Sequence, residues 1–368
     1  MTADPVYVAC LTPPGAAAIA TVGLSGRDAW SLVKAHFQPR GRKTPIPAEP
    51  ARTWLGRLTH CDAADDVVVT IGQAGEIDRV EIHCHGGAAV VRWLLNLFRQ
   101  QGAIEITYEE WLRRTATSPI QAEAALALTH ALTLRTAGIL LDQFHGAFER
   151  ELRAIDSARA RSDWPTAAAK LEALCSWIPL GRHLTEPWRV VVAGAPNAGK
   201  SSLINALLGY QRAITSPIPG TTRDLVTALT AFDGWPVELI DSAGIRADAT
   251  GLEALGITQA ENALTTADLC LWVVDRTQER PLLPPLTLGC QALVLCNKTD
   301  LVDRWQPWEF TGSVLLVSAL TSQGLQELAD AIVHSLVPRS PPKGTAVPFA
   351  EAIVEQLCAQ QSGLKLKR

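Results

Sequence analysis

The most specific chemistry in this 368-residue chain lies in the stretch GAPNAGKS, Gly194 to Ser201. It satisfies G-x-x-x-x-G-K-[ST], follows the apolar run RVVVA and precedes Leu and Ile at helical spacing. That context predicts a phosphate-binding loop between a strand and a helix. Glycines let backbone N–H groups turn inward around phosphates, and a helix N-terminus adds its positive end. The expected cradle is Asn197, Ala198, Gly199, Lys200, Ser201 and Ser202. Lys200 would reach the β- and γ-phosphates, and the Ser201 hydroxyl would help hold Mg²⁺.

The base is read further along. LCNKTD, Leu295 to Asp300, follows a strand-like run and supplies N-K-x-D. The Asp300 carboxylate can accept two hydrogen bonds from the N1 and N2 donors of guanine. Adenine lacks the 2-amino group and would leave the carboxylate underpaired. Asn297 and the stem of Lys298 can flank the ring, and Ser318 and Ala319 in VSAL fall where a second guanine-contacting loop belongs. The expected ligand is therefore GTP or GDP. Between these motifs, PGTTRD supplies Thr222 for Mg²⁺ and the γ-phosphate. LIDSAGI supplies Asp241 for a Mg²⁺-bound water and the Gly244 N–H for the γ-phosphate. Loops of this kind order around GTP and loosen after hydrolysis. Ras-type GTPases orient the attacking water with a Gln directly after D-x-A-G; here that position is Ile245. A nearby acid is Glu253, twelve residues after Asp241.

These loops need a scaffold. From Pro187 to about Pro338, apolar strand-like runs alternate with helical stretches, the pattern of a mostly parallel sheet with crossover helices. Before it, Ser118 to about Glu186 has Ala and Leu at i, i+3 and i+4 with few turn residues, which predicts two or three helices. The first 115 or so residues read as a mixed α/β unit. YVACLTP, IATVGLSG, DDVVVTIG and DRVEIHCHGG are strands, DAWSLVKAHF and AAVVRWLLNLFRQQG are helices, and QPRGRKTPIPAEP is a loop. A short helix, PFAEAIVEQLCAQQ, follows SPPKG. The expected fold class is multidomain α/β: a Ras-like P-loop G domain, a helical segment and an N-terminal α/β domain. Domain limits fall at 1–116, 117–187, 188–338 and 339–368.

Composition narrows the rest. Apolar residues make up 47% and charged ones 19%, so the chain is globular; a net charge of -4 argues against bulk, non-specific nucleic-acid binding. The eight cysteines show no C-x-x-C pair, which suits free thiols in a reducing cytosol, and a cytoplasmic location is expected. Ala124 to Leu141 is strongly apolar but holds His130 and Arg135, so it reads as a buried helix, not a membrane span. The opening MTADPVYVACLTPPG has neither a basic region nor an apolar core and is not expected to be a signal peptide. HCHGG puts His83 and His85 on one strand face without a nameable third metal ligand, and a structural turn is the expected reading. The terminal KLKR reads as a solvated tail, and the eleven tryptophans as packing or partner contacts.

Taken together, GAPNAGKSSLINAL, GTTRD and DSAGI, with TPPGAAAIATVGLSG, EIHCHGG, QAEAALAL and QFHGAF in order before them, resemble the tRNA-modification GTPase family MnmE (TrmE). The resemblance spans about residues 5 to 337. It implies GTP hydrolysis with Mg²⁺ and K⁺, paired G domains and a dimerising N-terminal domain. It also implies Asn197 as a K⁺ ligand, Glu253 positioning the water, formyl-tetrahydrofolate as one-carbon donor, tRNA, and an FAD-binding partner of the MnmG (GidA) type. The potassium-holding loop has its counterpart in ITSPIPGTTRD, with Pro217 and Pro219 at positions usually filled otherwise. Three departures stand out. No C-x-G-K follows the G domain, so the chain reads as a shortened member; Cys358 is too early for that cysteine. Gly23 replaces the usual Arg before I-S-G, and EEWLRRTATSPI replaces R-A-F-L-N-G-K. The shortened helical part would also lose surface for the partner and tRNA. A modifying GTPase and a diverged GTP-dependent interaction switch without tRNA-modifying activity are thus both open.

Overall fold

The computed structural model describes residues 5–13, 15, 17–41, 52–74, 77–210, 227–242, 264–284, 289–305 and 313–365. The chain divides into two compact units, Met1–Leu126 and Ala127–Arg368.

The first unit contains Tyr7–Cys10 (β1), Ile19–Gly26 (β2), Ala29–Lys34 (α1), Phe37–Pro39 (β3), Arg52–His60 (β4), Ala63–Ala74 (β5) and Ile77–His85 (β6). Ala88–Gln100 (α2), Ile104–Glu105 (β7), Tyr108–Thr115 (α3) and the start of Pro119–Thr129 (α4) complete it. The seven strands pair in the order β3-β4-β5-β6-β2-β1-β7. Alternation sets the buried face: Val67, Val69 and Ile71 of β5 point inward with Val80 and Ile82 of β6, and Leu94, Leu97 and Phe98 of α2 cover them. β4 has no strand signature in the sequence, because its inward positions are Trp54, Gly56 and Leu58 and only two of those are apolar. Gly56 is needed there, since a Cβ would stand 2.4 Å from the Phe37 ring. Phe37, expected to end a helix, instead pairs with Leu58 across β3 and β4.

The second unit opens with Leu134–Phe144 (α5), Ala147–Ala160 (α6), Trp164–Cys175 (α7) and the short Ile178–Gly181 (α8). The expected two or three helices are thus more numerous and shorter. Local caps divide the run: Thr133 forms a capping box with Thr136, Gly146 adopts φ 85°, and Asp163 accepts from the Thr166 N–H at 3.2 Å. The apolar stretch 124–141 is split between α4 and α5 and is not one buried helix; Leu134 is 94% exposed. Among the described residues no helix is long and apolar enough to cross a membrane.

Then come Trp188–Gly194 (β8), Lys200–Tyr210 (α9), Thr227–Phe232 (β9), Trp235–Asp241 (β10), Leu269–Asp275 (β11), Gln291–Asn297 (β12) and Val314–Leu316 (β13). Leu325–Leu336 (α10) and Glu351–Lys365 (α11) follow. The sheet order is β13-β12-β11-β8-β10-β9, parallel throughout except for the β9–β10 hairpin. Strands covered on both faces need continuous apolar runs, and β11 is buried along its whole length. Gly194, Asp241, Asp275 and Asn297 end β8, β10, β11 and β12. They share one edge of the sheet, the carboxyl edge at which open α/β folds bind ligands.

Gly181 lies against the chain ahead of α11, and a Cβ there would fall 1.6 Å from the Pro348 carbonyl oxygen. Gly181→Ala is therefore expected to cost about 3 kcal/mol and lower the melting temperature by several degrees. An unchanged thermal melt would refute this close approach.

Candidate nucleotide site

The loop after β8 takes a path closed to most residues. Gly194 has φ 139°, and a Cβ there would lie 2.2 Å from the Val273 carbonyl oxygen of β11. Asn197 at φ 60° and Gly199 at φ 94° turn the chain onto the first residue of α9. Asn is one of the few side-chain-bearing residues that tolerate that region. The loop crosses the N-terminus of α9, where backbone N–H groups have no helical partner and the helix dipole is positive. Ala198 is buried, and Ser202 is exposed in the first helical turn. Lys200 is only 7% exposed; its Nζ donates to the Gly194 and Ala195 carbonyls at 3.2 and 2.8 Å. The ammonium thus lies over the loop, where phosphate oxygens can compete for it.

Ser201 Oγ donates to Asp241 Oδ2 at 2.5 Å, and Asp241 is buried. A hydroxyl and a carboxylate beside a phosphate loop are the hard oxygen ligands that Mg²⁺ prefers, and it completes its shell with water and phosphate. When bound, Mg²⁺ neutralises charge developing on the β- and γ-phosphate oxygens. Thr222, Gly244, Ile245 and Glu253, and with them Pro217 and Pro219, lie outside the described residues.

On the base side, Asn297 is buried and both ends of its amide are engaged. Nδ2 donates to the Ala198 carbonyl at 2.9 Å, and Oδ1 accepts from the Ala319 N–H at 3.1 Å. This side chain ties the phosphate loop to the loop after β13. Asp300 is exposed, and Ser318, fully buried, donates Oγ to its Oδ1 at 2.5 Å. Ser318 Oγ in turn accepts from the Thr321 N–H at 3.1 Å. One carboxylate oxygen is thereby oriented by the buried hydroxyl. Lys298, at φ 66°, donates Nζ to Asp275 Oδ2 at 2.6 Å.

Asp275 and Thr277 were not anticipated from sequence. Thr277 donates both its N–H and its hydroxyl to Asp275 Oδ1, at 2.9 and 2.7 Å. Burial pushes the Asp275 pKa up, but the hydrogen bonds from Lys298 and Thr277 outweigh it and hold the carboxyl below its usual range. An ionised Asp275 anchors the Lys298 stem. The available signal was an acid ending LCLWVVD, one strand away from N-K-x-D.

In the first unit, His83 and His85 take different partners: Thr21 Oγ1 at 3.0 Å and Asp65 Oδ1 at 2.5 Å. Among the described residues no group of three or more His, Cys, Asp or Glu could hold a metal. The two sequence departures of this unit meet in space. Trp111, from the EEWLRRT segment, is fully buried over Gly23, where a Cβ would fall 2.6 Å from its Cζ2 and 2.9 Å from Leu11 Cδ1. An arginine at position 23 has no room. A folate held by that side chain does not fit these residues.

A phosphate loop and an N-K-x-D loop at the carboxyl edge of a parallel sheet define a P-loop GTPase. Residues 189–297 match the family model described as 50S ribosome-binding GTPase, and residues 6–116 that of the GTP-binding protein TrmE N-terminus. The chain is 34% identical over 397 residues to a tRNA modification GTPase MnmE of Thermus thermophilus, covering 98% of this chain and 89% of that protein. Its counterpart from Heliobacterium modesticaldum is 33% identical over 376 residues, 88% of this chain and 79% of that one. The chain belongs to the MnmE family of GTPases. Among solved structures, the G domain of the T. maritima FeoB iron transporter aligns with 41% of this chain and 99% of its own, at 26% identity and TM-score 0.31.

Asn297→Ala would leave the Ala198 carbonyl and the Ala319 N–H without their partner, at about 1–3 kcal/mol each. Titration with a fluorescent GDP analogue is expected to show affinity lower by about a hundredfold or more. Unchanged affinity would mean that the loops hold their places without this amide.

Proposed function

We propose that this GTPase hydrolyses GTP with Mg²⁺ held through Ser201, Thr222 and Asp241, and that K⁺ bound at Asn197 stimulates it when two G domains pair. Lys200 and Thr222 act on the γ-phosphate and Glu253 orients the water. Gly244 and the residues Asn197 to Ser202 bind phosphate. Asn297, Lys298, Asp300, Ser318 and Ala319 hold guanine. The observation that carries the reading is the contact of Ser201 Oγ with the buried Asp241, directly beside Lys200 and the phosphate loop. Its relatives' name, tRNA modification GTPase, suggests that the chain acts on tRNA; the wobble uridine as target and a homodimer formed through the N-terminal domain follow from the family resemblance of the sequence motifs. An FAD-binding partner of the MnmG type and a cytoplasmic location belong to the same reading. So does a division at 1–116, 117–187, 188–338 and 339–368.

One observation favours a second reading, a GTP-dependent interaction switch that does not modify tRNA. Trp111 fills the space over Gly23, which removes the arginine expected to meet the one-carbon carrier. Titration with 5-formyl-tetrahydrofolate separates the two: saturable binding favours modification, and its absence the switch.

The proposal on hydrolysis predicts faster GTP turnover in KCl than in NaCl. It also predicts a fall in kcat of about a hundredfold or more in Glu253→Ala. Equal, slow turnover in both salts, unchanged by the substitution, would sink the Asn197 and Glu253 roles.

A further inference from the structure

A second recess lies at the opposite end of the same strands. β8 starts at Trp188 and ends at the phosphate loop; β11 starts just after Asp268 and ends at Asp275. Between the α8–β8 connection and the chain leading into α11 is a cavity of about 700 Å³. That is within the size range of small-molecule sites. Ile178, Pro179, Pro348 and Phe349 give it apolar walls, and Arg182, Glu186, Asp268 and Glu351 add charged ones.

Two stacked rings, His183 and Trp188, also line it, with centroids 3.4 Å apart and planes at 16°. They are 5% and 7% exposed. The Trp188 indole N–H is buried with no hydrogen-bond partner. Beside them, Asp268 accepts from the Arg189 N–H through Oδ2 at 2.7 Å, and its Oδ1 is 3.7 Å from His183 Nε2.

The charge of the lining is one-sided. Arg182 and Glu186 pair with each other at 2.7 Å, which leaves the carboxylates of Asp268 and Glu351 in surplus. Burial lowers the His183 pKa and Asp268 offsets only part of that, so the imidazole stays neutral and does not cancel them. A recess with apolar walls on one side, an indole in its lining and surplus negative charge complements a flat organic cation. Such a cation can donate N–H groups to Asp268 and stack on aromatic faces.

We propose that this cavity is a binding site for a small organic cation with a flat apolar body, of the ammonium or amidinium class, held by Asp268, Glu351 and the His183–Trp188 stack. The test uses the full chain saturated with GDP, so that the nucleotide site is already filled. Benzamidine is titrated while the Trp188 indole N–H resonance is followed, assigned with Trp188→Phe; benzoate, of the same shape and opposite charge, is the control. Expected are a saturable shift with benzamidine, none with benzoate, and affinity about tenfold lower in Asp268→Asn, whose amide oxygen still accepts from Arg189. Glu351→Gln, at an exposed position, is expected to weaken binding about twofold and serves if the first variant folds poorly. GDP affinity should stay the same in both variants, which separates this site from the nucleotide reading. No saturable response to benzamidine, an equal response to benzoate, or unchanged affinity in Asp268→Asn would overturn the proposal.

Discussion

The amide of Asn297 is the joint on which the nucleotide site depends. It commits its donor to the carbonyl of Ala198 in the phosphate loop and its acceptor to the N–H of Ala319 in the loop after β13. Two loops far apart in the chain are thereby held as one body. The same contact explains Gly199: at φ 94°, with a Cβ that would fall 2.3 Å from Asn297 Nδ2, only glycine lets the loop close on its strut. The group is buried, so each hydrogen bond is retained at nearly its full value against the cost of leaving it unmade.

That joint in turn requires the parallel sheet. Strands with continuous apolar runs are covered on both faces, and the buried acids of this sheet stand at strand ends. Asp241 and Asp275 mark those ends, and each is met by a donor: Ser201 for the first, Thr277 and Lys298 for the second. The carboxylates thus organise the loops around them. One meets the hydroxyl at the start of α9 and the other fixes the lysine stem.

In the N-terminal unit the constraint is steric. Gly23 lies in β2, on the sheet, and Trp111 lies in α3, yet the indole rests where a side chain at position 23 would begin. Arg79 approaches the Trp111 ring to 5.8 Å. A glycine and a tryptophan that look like separate departures along the chain are two halves of one packing solution. The indole at one position leaves no space for an arginine at the other.

Much of the nucleotide-binding half was legible in the sequence. The phosphate loop, the N-K-x-D loop and the strands before them depend on short-range rules: glycine where backbone must turn, apolar runs where strands are buried, an acid where a run stops. The failures share a different cause. β4 is not legible because Gly56 answers to the Phe37 ring across the sheet, and Phe37 fits a helical pattern because its partner Leu58 is distant in the chain. The helical stretch has longer helices in its sequence pattern than in the fold because Thr133, Gly146 and Asp163 act as caps only once their neighbours are in place. Asp275 could be seen as the end of a strand, but its pairing with Lys298 exists only where β11 and β12 run side by side. Sequence by itself determined which residues could bind a guanine nucleotide, since that rests on side-chain chemistry and local backbone freedom. Tertiary structure alone decided which residues hold those groups in place, because hydrogen bonds and steric contacts between distant segments have no local signature.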